Sequence, residues 1–180
     1  RELYEALTGG GSRVTFGTFH SIFFRILKLA YRYTADNIVR EEQQMQFVRE
    51  LAQAGGLEPE DENEFAASIL SEISSVKGER IVLEHYYSKN CPDAVFRQLY
   101  AGYEEKMRRA GLIDFDDMMV LCLELFTERK DILSAWQRRY RYILIDEFQD
   151  INRLQYEIVR MLAKPEDNLF IVGDDCLLYT

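Results

Sequence analysis

The 180 residues carry 31 Asp and Glu against 22 Lys and Arg, for a formal net charge of −9 at pH 7 and a pI near 4.8. That balance excludes a chain that grips nucleic acid with its whole surface; any such contact must be local, or assisted by parts outside the chain. Hydrophobic residues at 47% and charged ones at 29% describe a globular chain, long enough for one domain or two small subdomains.

No apolar run approaches the roughly 18 residues that span a bilayer, and no signal-peptide pattern is visible. Cys91, Cys122 and Cys176 are widely spaced and match neither a disulfide framework nor a zinc pattern, so the expected compartment is a reducing cytoplasm. The chain starts at Arg1 and has no Met there, so it is expected to be a piece of something longer.

In chain order, residues 2 to 8 read as a helix tail ended by Gly9, Gly10 and Gly11. "RVTFG", 13 to 17, reads as a short strand. From Thr18 a helix places Phe19, Ile22, Phe23, Ile26, Leu27 and Ala30 on one stripe. Met45, Val48, Leu51 and Ala52 mark a second, closed by Gly55 and Gly56. The acidic run "EPEDENE" is a solvated loop and helix start. Phe65, Ile69, Ile73 and Val76 then recur at helical spacing up to Gly78. Pro92 suits a first helical turn, followed by Val95, Phe96, Leu99, Tyr103 and Met107, with Gly111 as terminator. Asp114 is placed to cap a helix carrying Met118, Leu121, Cys122 and Leu125, and "DILSAWQRRY" adds a short one.

"RYILIDEFQDIN", 141 to 152, follows. Tyr142, Ile143, Leu144 and Ile145 run unbroken, the pattern of a strand buried on both faces. A helix through Leu154, Ile158, Val159 and Leu162 stops before Pro165, and "NLFIVGDD" again runs an apolar strand into acids. Two strands separated by one helix predict a βαβ unit with parallel neighbours. The pattern is therefore an α/β layer at both ends, with an almost purely helical insertion over roughly 36 to 111.

In open parallel sheets, ligands sit beyond the carboxyl ends of the strands, where Asp146 and Glu147 fall. Mg²⁺ on nucleotide phosphates takes only one or two protein carboxylates and keeps several waters, a task that suits Asp146. Glu147 is placed to accept a proton from the water that attacks the γ-phosphate. The same acids also fit plain caps of the following helix. Asp174 and Asp175 end the next strand and are expected to face the same crevice, with Gln149 as a neutral hydrogen-bonding neighbour. In "GTFHSIFFRIL", 17 to 27, Thr18 is an N-cap, Phe19 and His20 suit stacking on a base, and Arg25 or Lys28 suits backbone phosphates. On the residues alone a plain capped helix, with Phe19 in the core and His20 a surface or core histidine, is the preferred reading. "GGGSR" is not a phosphate loop: nowhere does the chain contain G-x-x-x-x-G-K-[ST], the lysine-bearing Walker A pattern.

"GTFHSIFFRIL", "IDFDDMM", "RYILIDEFQDINRLQ" and "LFIVGDD", in that order and spacing, resemble the UvrD/Rep/PcrA group of superfamily 1 DNA helicases. The first is similar to motif Ib, the third to motif II (the Walker B box), and the last to the start of motif III. The resemblance is strong over about 13 to 33 and 111 to 175 and loose between them. It implies a partial RecA-like (P-loop NTPase) α/β motor domain with a parallel sheet, interrupted by a helical accessory subdomain. The implied division is 1–35 motor, 36–111 accessory, and 112–180 return to the motor. It also implies ATP and Mg²⁺ as cofactors, single-stranded and duplex DNA as partners, and 3′ to 5′ translocation in processes such as DNA repair.

By position, Asp146 resembles the Mg²⁺-linked carboxylate and Glu147 the general base. Gln149 resembles a residue that couples nucleotide state to DNA, and Thr18, Phe19 and His20 match a segment lying along single-stranded DNA. Motifs I and Ia and a second RecA-like domain are not in the chain, so alone it is expected not to hydrolyse ATP. Motif III departs from its pattern after Asp175, reading "DCLLYT". Two other readings stay open. Asp146, Glu147, Asp150, Asp174 and Asp175 could hold two metals in a nuclease, although no Lys or His accompanies them. The helical insertion could instead be a non-catalytic module that binds DNA or protein.

Overall fold

The computed structural model describes residues 14–174. Seven α-helices and two short strands are formed there: α1 (Phe19–Tyr31), α2 (Glu41–Ala54), α3 (Glu62–Gly78), α4 (Asp93–Ala110), α5 (Phe115–Glu128), α6 (Lys130–Arg139), β1 (Ile143–Ile145), α7 (Arg153–Ala163) and β2 (Leu169–Ile171). Helix ends follow local chemistry. Thr18 caps α1 by accepting the Ser21 N–H, and Asp61 caps α3 through the N–H groups of Asn63 and Glu64. Asp114 and Asn152 each form a reciprocal capping box, with Asp117 and Gln155 respectively. Gly111 closes α4 with φ 65°, a left-handed position that costs glycine little. Pro92 stands one place ahead of α4, as its N-cap.

The helices pack around two cores. One is built by α2, α3 and α4 around Val48, Ile69, Phe96 and Tyr103; the other by α1, α5, α6 and α7 around Phe23, Ile26, Phe126 and Ile158. The chain passes between them twice, close together. Ile38 pairs with Ile113 in an isolated parallel bridge, where the Val39 N–H donates to Ile113 O at 3.0 Å and the Ile113 N–H to Asn37 O at 2.8 Å. The side chain of Asn37 adds a bond to Gly111 O at 2.9 Å. Residues 39–112 therefore leave and re-enter through one narrow double-stranded neck.

β1 and β2 pair in parallel with Ile143 opposite Leu169, Leu144 opposite Phe170 and Ile145 opposite Ile171, and α7 makes the crossover. Burial corrects one reading of the sequence. Ile145 is buried, but Tyr142 and Leu144 are each 74% exposed and Phe170 is 62% exposed, so this sheet is covered on one face only. An unbroken apolar run marks strand-forming residues; whether a second layer lies against them is decided elsewhere in the chain. "RVTFG" is a second correction, because Val14–Gly17 are not assigned to a strand among the described residues. Apolar alternation over so few residues is weak evidence for a strand. No helix among the described residues is long and apolar enough to cross a membrane.

Candidate nucleotide and nucleic-acid site

The parallel ladder continues past the strands and ties their carboxyl ends together. The Val172 N–H donates to Ile145 O at 2.8 Å, and the Phe148 N–H to Val172 O at 3.0 Å. Between them the chain turns at Glu147, which takes the left-handed conformation (φ 53°, ψ 46°). A non-glycine residue seldom adopts that geometry, and positions like it concentrate at functional turns. The turn directs Phe148–Asp150, a 3₁₀ turn, back across the end of β2.

Gln149 is the centre of this edge. Its Nε2 donates to Glu147 Oε2 at 2.6 Å, and its Oε1 accepts the Asp174 N–H at 3.1 Å. One neutral amide thus bridges the Glu147 carboxylate, after β1, to the backbone of Asp174, after β2. Gly173 makes the close approach possible: a Cβ there would lie 2.7 Å from Gln149 Oε1 and 3.2 Å from the Phe148 nitrogen. Asp146 is exposed, and its Oδ1 accepts the Glu147 N–H at 3.1 Å. An exposed carboxylate at a strand tip is of the kind that could meet a magnesium ion keeping most of its own waters. Asp175 lies outside the described residues. No group of three or more His, Cys, Asp or Glu side chains among the described residues is arranged to hold a metal. Asp146, Glu147, Asp150 and Asp174, the four described acids of the five singled out for a two-metal site, therefore form no such group.

The second group lies where the first turns of α1 and α5 meet. Thr18 is exposed. Phe19 packs against the core beside Phe23, with ring centroids 5.9 Å apart. His20 is half-buried and its ring meets that of Phe115 in a tilted contact, centroids 4.9 Å apart and planes at 56°. Phe115 is 56% exposed, so an aromatic face is presented to solvent beside His20. Sequence reasoning singled out Thr18, Phe19 and His20 but missed Phe115. Its spacing hid it: Phe115 falls three, four and seven residues before the buried Met118, Met119 and Cys122, so periodicity reads it as core, and only its 56% exposure at the first turn of the helix sets it apart. Arg25 and Lys28 are exposed on α1.

Comparison with known proteins adds the family. The family described as "UvrD/REP helicase N-terminal domain" matches residues 2–176. The chain is 41% identical over 172 residues to YjcD of Bacillus subtilis (strain 168), covering 91% of this chain and 22% of that protein. It is 32% identical over 181 residues to the ATP-dependent DNA helicase PcrA of the same organism, covering 97% and 24%. With DNA helicase II of Escherichia coli (strain K12) it shares 33% identity over 166 residues, covering 88% and 22%. The chain spans about a quarter of the length of these relatives.

Proposed function

The chain belongs to the UvrD/REP helicase N-terminal domain family, and from that premise we propose that it carries the Walker B wall of the nucleotide site and part of the single-strand path of an ATP-dependent DNA helicase. The observation that carries this reading is the Gln149 bridge, which brings the ends of both parallel strands to one edge. In this reading Asp146 holds Mg²⁺, directly or through water. The ion supplies charge neutralisation at the phosphates when bound. Glu147 accepts the proton of the attacking water; it stands at a left-handed turn, and its carboxylate accepts from Gln149. Gln149, bonded to both Glu147 and the chain at Asp174, is suited to transmit a change at the phosphates into the segment after β2.

His20 and Phe115 form the stacking surface for a base, and exposed Arg25 and Lys28 lie on the same helix as His20. Among residues 36–111 acids outnumber bases, so a duplex contact by the helical unit would rest on a few basic side chains. The phosphate-cradling lysine loop is not among these residues, and the 180-residue chain alone is proposed not to turn over ATP.

The test is DNA-stimulated ATP hydrolysis by the parent reading frame that contains this segment. Glu147→Gln is expected to lower kcat by about 10²–10⁴-fold, the usual contribution of a general base, with nucleotide binding retained. An unchanged kcat removes Glu147 from the mechanism. Robust ATP turnover by the 180-residue chain alone, abolished by Glu147→Gln, would overturn the proposal that the cradle lies elsewhere.

A further inference from the structure

The last turn of α3 holds Lys77, whose side chain is only 4% exposed. Its Nζ lies 2.9 Å from Asp114 Oδ2, 2.6 Å from Asp117 Oδ1 and 2.7 Å from Glu104 Oε1. It also sits over the Tyr103 ring, 5.5 Å from the centroid. The Tyr103 hydroxyl donates to Asp114 Oδ2 at 3.2 Å and accepts from Gln44 Nε2 at 2.7 Å. All three helices of the insertion, α2 through Gln44, α3 through Lys77 and α4 through Tyr103 and Glu104, therefore converge on the carboxylates that begin α5.

The helix dipoles favour this pairing. A cation is stabilised at the C-terminal end of α3 and acids at the N-terminal end of α5, and the two ends meet. Yet a buried ion pair often only breaks even against apolar packing of the same volume, while the removal of one partner is costly. One cation facing three carboxylates is a poor way to gain stability alone. What the arrangement does provide is fixed geometry. Asp114 uses Oδ1 to cap its own helix, accepting the Asp117 N–H at 2.7 Å, and Oδ2 to hold Lys77 and Tyr103. The residue that starts α5 is thus the residue that anchors the insertion. The next residue is Phe115, whose ring packs at a tilt against His20. The end of α3 and the residues just past it also reach α7: Gly78 faces Asn152, the N-cap of α7, and Arg80 pairs with Glu157 at 3.0 Å.

We propose that Lys77 is a positioning residue: by tying the helical insertion to Asp114 and Asp117, it holds Phe115 against His20 in the orientation on which a base of single-stranded DNA stacks. The inference rests on the reading of the α1–α5 edge as a single-strand contact.

The experiment is a double-mutant cycle on the 180-residue chain with a fluorescent (dT)16 oligonucleotide, alongside amide hydrogen exchange. Lys77→Met and Phe115→Ala are each expected to weaken binding by about tenfold, and the double variant no more than Phe115→Ala alone. Lys77→Arg, which keeps the charge, restores affinity to within about threefold of the unsubstituted chain. In Lys77→Met, exchange quickens at the amides of Asp117 and Met118, both of which donate to Asp114, and stays unchanged within α7. Additive losses in the cycle, or unchanged exchange at those two amides, overturn the positioning role and leave the single-strand reading standing. Absence of any salt-dependent affinity in the unsubstituted chain overturns that reading, and this inference with it. Should Lys77→Met fail to fold, Asp117→Asn replaces it in the same cycle and is judged by the same outcomes.

Discussion

Gln149 Oε1 accepts the backbone N–H of Asp174 at 3.1 Å, across 25 residues of chain. The two residues close one edge of the β1–β2 sheet, and Gln149 reaches Glu147 from the same amide. Gln149→Ala is expected to quicken amide exchange at Asp174 by roughly threefold to tenfold, the size of one exposed hydrogen bond. Exchange within α7 is expected to stay the same. Equal exchange at Asp174 in both proteins would show that the bond is not kept in solution.

Gly173→Ala tests the same edge from the other strand. The added Cβ would meet Gln149 Oε1 at 2.7 Å and the Phe148 nitrogen at 3.2 Å, and the second of these is backbone that cannot swing aside. The Phe148 N–H bond to Val172 O, 3.0 Å long, is expected to loosen, and its amide to exchange faster. Hydrogen exchange followed by NMR reads this directly; an unperturbed Phe148 amide would contradict the close approach.

Phe115→Ala is expected to cost single-strand affinity and little stability. Stacking on an aromatic is worth about 1–3 kcal/mol per base, so (dT)16 binding should weaken between roughly fivefold and a hundredfold. The residue is 56% exposed, so the urea midpoint should move little. A loss of stability with no loss of affinity would assign Phe115 to packing.

Asp117 makes stability depend on pH in an unusual direction. Burial and the neighbouring Asp114 carboxylate push its carboxyl up to about 6, although Lys77 pulls the other way. Burial likewise raises Asp116. A carboxyl whose folded value lies above its unfolded one binds its proton more tightly when folded. Its contribution is then complete below the ordinary carboxyl range near 4 and is lost as pH rises through about 6. Glu50, Asp61, Glu105 and Asp131 are shifted downward, so their opposing gain is over by about pH 5. The urea midpoint should therefore fall between about pH 5 and 6.5, and fall more steeply in Lys77→Met, where the carboxylates lose their shared cation. A flat or rising midpoint over that window would refute the account.

The two cores and the open sheet face predict opposite sensitivities. Ile158 is fully buried among α1, α5 and α7, and Ile158→Ala should cost about 2–5 kcal/mol by urea denaturation. Leu144 is 74% exposed, and Leu144→Ser should stay within about 0.5 kcal/mol. A large loss from Leu144→Ser would mean that the face is covered.

The sequence by itself determined the helices and their ends. Thr18, Asp61, Asp114 and Asn152 cap through bonds two or three residues along the chain, and the stripe from Phe23 to Leu27 repeats at helical spacing, so both are written locally. It also carried the order of motifs, with acids after each of two strands. The tertiary structure decided what those acids and aromatics meet. Gln149 finds Asp174 across 25 residues, Lys77 finds Asp114 and Asp117 across 37 and 40, and Phe115 finds His20 from another helix. The exposure of Leu144 and the left-handed turn at Glu147 belong to the same class. Periodicity and capping act within one or two turns of helix and fix which face is apolar. Which distant group comes to lie against that face depends on how the elements pack, and no local pattern encodes it.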